Sequence, residues 1–176
     1  MKNLLVTGRP GIGKTSVVEA VAREFPQIAG GFTTSEIREH GVRKGFRVTT
    51  LDGKSAVLAH IDLSGQVRVG KYGVDVPAFE RVALPALQDA MLHREVVVID
   101  EIGKMELASK LFCDVVHRAL DSPAIMLATI TERPHPFADQ IKCRTDVVIF
   151  ELTVENRNQL PGTITARIRE ELQPNR

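Results

Sequence analysis

Eight consecutive residues, Gly8-Arg9-Pro10-Gly11-Ile12-Gly13-Lys14-Thr15, have the types and spacing needed to hold a chain of phosphates. Three glycines open backbone conformations closed to other residues, so successive N–H groups can converge on anionic oxygens. Pro10 limits the loop's freedom and so lowers the cost of ordering it around a ligand. Lys14 would bring a point charge to the β- and γ-phosphates, and Thr15 a hydroxyl to Mg²⁺. A helix opening at Gly13 would add free N–H groups and the positive end of its dipole. All eight residues are candidate nucleotide-binding positions, with Lys14 also catalytic and Thr15 also a metal ligand.

A second constellation follows far downstream. Val96-Val97-Val98-Ile99-Asp100-Glu101 is an apolar run ending in two carboxylates. Alone, such a run is commonly a strand entering a solvated turn; beside a phosphate loop it reads as the acidic half of the same site. Asp100 would hold Mg²⁺ directly or through water. Glu101 would orient or deprotonate an attacking water. Lys104 and Glu106 follow at once; they line the γ-phosphate side, or Glu106 simply favours a helix N-terminus. Thr129 and Thr131 end the next strand, within reach of the same chemistry. Extra positive charge has five candidates in Arg38, Arg43, Arg47, Arg133 and Arg144, with Arg133 preferred because its loop leaves the carboxyl edge of the sheet. His135 in that loop reads as a packing residue.

The elements that must position these groups alternate between strand and helix. Leu4-Leu5-Val6 predicts a buried strand before the loop, and Val17, Val18, Val21 and Ala22 fall at helical spacing after it. Residues 28–37 predict a strand or strand-loop. Phe46–Leu51 and Ala56–Ile61 flank Asp52-Gly53 and predict an antiparallel hairpin. Residues 65–76 read as loop. Residues 77–93 predict a helix burying Phe79, Val82, Ala83, Leu87, Ala90 and Met91, and 105–120 a helix burying Leu107, Leu111, Val115, Ala119 and Leu120. Buried strands are predicted at 125–130 and 147–152, and a helical tail at 154–172 broken near Pro161-Gly162. Short apolar strands separated by helices predict a three-layer α/β fold with a mainly parallel sheet, one hairpin added, in a single domain.

Bulk properties narrow the function. The 176 residues can bury a substantial core. Lys plus Arg (23) nearly balances Asp plus Glu (22), which argues against a nucleic-acid or acidic-membrane partner. Only 5% of residues are aromatic and none is Trp, so there is little to stack on bases. No apolar run approaches membrane-spanning length. Cys113 and Cys143 lack metal-type spacing and read as free thiols; with a first strand beginning almost at the N-terminus, the expectation is a cytoplasmic protein. Oligomeric state is left open.

Several segments together resemble a known family. Beyond Gly8–Thr15, these are Gly31-Phe32-Thr33-Thr34-Ser35-Glu36-Ile37-Arg38, Gly45-Phe46-Arg47, Val69-Gly70-Lys71-Tyr72-Gly73-Val74 with Phe79-Glu80, Ile99-Asp100-Glu101-Ile102-Gly103-Lys104-Met105-Glu106-Leu107 and Thr153-Val154-Glu155-Asn156-Arg157. They resemble the THEP1 family of nucleoside-triphosphatases, also called the cancer-related NTPase family, over nearly the whole chain. The resemblance implies a RecA-like or kinase-like P-loop sheet of strand order 5-1-4-3-2. It also implies slow, Mg²⁺-dependent hydrolysis of several nucleoside triphosphates. Two nucleotide-binding stretches carry over, Gly8–Thr15 and the segment Val97, Val98, Ile99, Asp100, Glu101, Ile102, Gly103 and Lys104. Ser35 stands where relatives often carry an acidic pair.

Water is therefore the expected acceptor. A nucleotide or small-molecule kinase on the same scaffold is the main alternative, with residues 43–76 as its acceptor lid. Asp100-Glu101-Ile102-Gly103 also fits the Asp-x-x-Gly pattern of GTPase switches, but the sequence has no Asn/Thr-Lys-x-Asp motif to read guanine. Broad base use is the expectation.

Overall fold

The computed structural model describes residues 1–173. The chain runs β1 (Asn3–Thr7), α1 (Lys14–Arg23), β2 (Ala29–Glu39), β3 (Val42–Thr50), β4 (Ser55–His60), β5 (Arg68–Val69), β6 (Tyr72–Val74) and α2 (Val76–His93). It continues through β7 (Val96–Ile102), a 3₁₀ turn (Glu106–Ala108), α3 (Lys110–Asp121), β8 (Ile125–Ile130), α4 (Pro136–Lys142), β9 (Val147–Glu151) and α5 (Leu160–Leu172).

The fully apolar strands predict burial on both faces, and the packing follows strand alternation. Leu4 and Val6 of β1 and Val96 and Val98 of β7 face one core with α1 and α5. Leu5, Val97 and Ile99 face the other, with α2, α3 and α4. Each fully buried Leu, Ile or Val contributes about 1.5–3 kcal/mol, so the two cores hold the sheet between helical layers.

The sheet corrects the expectation of a mainly parallel architecture. It has nine strands in the order β5-β6-β4-β3-β2-β7-β8-β1-β9. The pairs β1/β8, β1/β9, β2/β7 and β7/β8 are parallel. The pairs β2/β3, β3/β4, β4/β6 and β5/β6 are antiparallel. The sheet is therefore mixed in equal parts, and a five-strand order describes only its parallel half, β9-β1-β8-β7-β2. What was expected as one added hairpin is a four-strand extension. β2 runs on past β7 and turns through His40-Gly41 into β3, so one long strand belongs to both halves.

Local differences have local causes. Residues 65–76 form two short strands rather than a loop, because β6 pairs with β4 through Ala59 and His60. The helix expected from Met105 starts only at Lys110, since the Ser109 hydroxyl accepts the Phe112 N–H at 2.9 Å and caps it there. The buried face turns accordingly: Phe112 is fully buried and Leu111 is 55% exposed. Pro136 opens the short α4 in a segment expected to be loop. Pro161 sits in the first turn of α5 instead of breaking a longer helix, where its missing N–H costs nothing.

Gly31 marks the junction between the two halves. Its φ is +119°, and a Cβ there would lie 2.1 Å from the Val98 carbonyl oxygen on β7. Gly31→Ala is expected to lower the unfolding free energy by at least about 3 kcal/mol, because backbone must move and no side chain can yield. Denaturant unfolding of the purified variant measures this directly; a loss below about 1 kcal/mol would show that the β2/β7 contact is not tight.

Candidate active site

The loop between β1 and α1 is shaped by backbone that only glycine tolerates easily. Gly8 has φ +146°, and a Cβ would lie 2.8 Å from the Leu152 carbonyl oxygen just beyond β9. Gly13 caps α1 in a left-handed conformation with no side chain bonded to the helix's first N–H groups. Those N–H groups, and the dipole behind them, are left without an internal side-chain acceptor, the arrangement that suits an anion. Lys14 is 9% exposed, and its Nζ donates to the Gly8 carbonyl at 3.0 Å, laying the side chain back along the loop.

Asp100 ends the apolar part of β7 and is completely buried. Its Oδ2 accepts from the Thr15 hydroxyl at 2.9 Å, joining loop and acid across 85 positions of sequence. The same oxygen accepts from the Thr34 N–H and Thr34 hydroxyl, both at 3.2 Å. Oδ1 accepts from the Thr129 hydroxyl at 2.7 Å. Groups from β2, β8 and α1 thus converge on one carboxylate. Four donors offset the cost of burying it and fix its orientation. The Asp100–Glu101 peptide is cis.

A cavity of about 780 Å³ opens over this arrangement. Gly8, Pro10, Gly11, Gly13, Lys14 and Thr15 of the loop line it, together with Glu101, Gly103, Lys104 and Glu106. Burial pushes the Glu101 carboxyl above the usual range; the Lys14 charge opposes this and Asp100 adds to it. Burial pushes Glu106 up much further, with the Glu101 charge second. Glu106 is therefore a cavity-wall carboxyl held toward its neutral form, and it does not open α3, which begins at Lys110.

The remaining expected positions divide. Val97, Val98 and Ile99 are buried in the two cores, and so is Ile102; they support the site from beneath. Ile12 packs against the α1/α5 core, and Arg9 is exposed. Thr129 is tied to Asp100, whereas Thr131 and the preferred Arg133 line the cavity. Arg144 is excluded from the charge-stabilising set: it bridges Asp121 at 2.7 Å and Asp146 at 2.8 Å. Arg38 is bound to Glu36 and to the Gly41 carbonyl. Thr34 was missed as an Asp100 partner. Its signal was the threonine pair after Gly31-Phe32, but only the β2/β7 pairing shows that it meets Asp100.

Comparison with known proteins gives the family. A family profile described as NTPase matches residues 3–165. The chain is 47% identical over 161 residues to the nucleoside-triphosphatase THEP1 of Thermotoga sp. (strain RQ2), covering 92% of each protein. It is 40% identical to the human cancer-related nucleoside-triphosphatase, covering 93% of this chain and 95% of that one. The crystal structure of THEP1 from Aquifex aeolicus superposes with a TM-score of 0.86 at 37% identity, over 94% of this chain and 98% of the other. A phosphate loop bonded to a buried acid, on a matching fold and a matching sequence, makes the chain a member of the THEP1 family of nucleoside-triphosphatases.

Proposed function

We propose that the chain acts as one P-loop domain that hydrolyses nucleoside triphosphates of several bases to diphosphate and phosphate, with Mg²⁺ and with water as acceptor. The observation that carries this reading is the 2.9 Å bond between Thr15 Oγ1 and Asp100 Oδ2. It brings a hydroxyl and a carboxylate oxygen together at the rim of the phosphate loop. Both are hard oxygen donors of the kind Mg²⁺ takes; Thr15 lines the cavity, and Asp100, buried behind it, would reach the ion directly or through a water. Thr15 and Asp100 would hold the ion, which when bound supplies positive charge to the β- and γ-phosphate oxygens.

The chain's own groups do the rest. Loop amides and the α1 N-terminus bind the phosphates, and Lys14, laid along the loop against the Gly8 carbonyl, presents its ammonium to the β- and γ-phosphates. Glu101 accepts the proton of the attacking water, its basicity raised by burial and moderated by Lys14. Arg133 and Lys104, both on the cavity wall, add charge toward the leaving side. Broad base use is supported by the lack of a guanine-reading motif in the sequence. A reducing, cytoplasmic setting is supported by the free thiols of Cys113 and Cys143. Among the described residues no helix is long and apolar enough to cross a membrane.

A nucleotide panel tests the reading. Phosphate release from ATP, GTP, CTP and UTP is expected at rates within about tenfold of one another, as for a site with no hydrogen-bond readout of the base. Chelation of divalent ions is expected to stop all four. Activity unchanged by the chelator would remove the metal assignment, and turnover of a single base would remove broad specificity.

A further inference from the structure

The phosphate loop has two flanks, and the chemistry described above occupies one of them. Loop amides take the α- and β-phosphates, while Lys14 and Thr15 mark the β/γ end. Asp100 stands on β7, two strand spacings from β1 and about 10 Å away. The terminal phosphoryl group therefore points from β1 toward β7, and the cavity continues beyond it to Arg43 and Phe46 on β3 and Tyr72 on β6. The sugar and base leave the loop the other way, toward β9, the second neighbour of β1.

That flank carries the segment joining β9 to α5, which includes Thr153-Val154-Glu155-Asn156-Arg157. The segment is docked on the phosphate loop itself. Leu152 N–H donates to the Thr7 carbonyl at 2.8 Å, and a Cβ on Gly8 would lie 2.8 Å from the Leu152 carbonyl oxygen. Both ends of the Asn156 amide then hold a turn: Oδ1 accepts the Thr153 N–H and Nδ2 donates to the Glu151 carbonyl, each at 2.8 Å. The Arg157 N–H donates to the Thr153 carbonyl at 3.1 Å. This backbone is fixed before any ligand arrives, which lowers the ordering cost of binding.

The side chains on the turn are, by contrast, unoccupied. Arg157 is exposed, and its guanidinium makes no hydrogen bond or ion pair among the described residues. The same holds for Arg9 in the phosphate loop. Val154 is 48% exposed. The Thr153 hydroxyl, then the backbone, then the Arg9 charge hold the Glu155 carboxyl below the usual range, which also places Arg9 near Glu155. A carboxylate here repels a further phosphate and offers acceptor oxygens to ribose hydroxyls. A free guanidinium plane beside an apolar side chain stacks on a flat ring without reading its edges.

We infer that the segment from β9 to α5 is the nucleoside subsite, where Arg157 stacks on the base of the bound triphosphate beside Val154, with Glu155 facing the ribose. The inference rests on the reading that the loop holds a nucleoside triphosphate, and it names what contacts the end of that molecule away from the phosphates. Stacking of this kind is the same for purines and pyrimidines.

The test compares ATP, GTP, CTP and UTP as substrates with inorganic tripolyphosphate, which has no nucleoside, as an inhibitor of ATP hydrolysis. Arg157→Ala is expected to raise KM about fivefold for all four nucleotides, the scale of one exposed cation–π contact, while kcat changes less than about twofold. The inhibition constant of tripolyphosphate is expected to stay within about twofold of wild type. Arg157→Lys, which keeps the charge and loses the plane, is expected to behave like the alanine variant. Parallel weakening of nucleotides and tripolyphosphate would mean that the segment only props the phosphate loop, and overturns the subsite. Full rescue by lysine, or a loss confined to one base, overturns the stacking role. An unchanged KM in Arg157→Ala overturns the subsite and leaves the hydrolase reading standing, whereas no phosphate release from any nucleotide by the wild type overturns both.

Discussion

Lys14→Ala is expected to reduce phosphate release at least about 10³-fold, a barrier increase of about 4 kcal/mol, and to weaken triphosphate binding. Lys14 is 9% exposed and its ammonium bonds the Gly8 carbonyl, so it rests within the loop, close to where phosphate oxygens would lie. Charge held in place before the substrate arrives needs little reorganisation as negative charge shifts in the transition state. The fold should tolerate the change, because the side chain's one bond is to a loop carbonyl and it joins neither core. Turnover by the purified variant, with its thermal unfolding as control, decides the matter. A correctly folded variant retaining a tenth of the activity would remove Lys14 from the mechanism.

Glu101→Gln is expected to slow turnover about 10²-fold or more while KM and nucleotide binding change little. The side chain faces the cavity beside Asp100 and Lys14 without joining the four-donor cluster that holds Asp100. Glutamine keeps its size and removes its ability to take a proton. Burial raises the proton affinity of Glu101 above that of an ordinary carboxylate, and this favours a base in water activation. A large rise in KM with unchanged kcat would instead assign Glu101 to binding, and unaltered kinetics would leave Asp100 as the functional acid of the pair.

These two predictions use residues that sequence spacing alone singled out, and the reason is physical. A phosphate loop is contiguous, because its amides must come from successive residues, so its whole pattern lies within eight positions. The acidic strand is legible for a similar reason: four buried apolar residues, Val96–Ile99, end in two carboxylates. The helical face of Phe79, Ala83, Leu87 and Ala90 was equally visible from its period, and all four are buried.

Pairing and convergence were not legible. β2 through β6 are partly polar and interrupted by glycine, so nothing local states that β2 extends past β7 and carries three further antiparallel neighbours beyond β3. The offset of α3 depended on one hydroxyl: Ser109 capped the helix later than its periodicity suggested, and the buried position moved from Leu111 to Phe112. Sequence by itself determined which chemical groups were available, the phosphate loop and the acidic pair, since each is written in neighbouring residues. Only the tertiary structure decided that Thr15, Thr34 and Thr129 meet on Asp100, and that Arg43, Phe46 and Tyr72 close the far side of the same cavity. Contacts between strands far apart in the chain depend on the order and direction in which the sheet assembles, and no local pattern encodes either.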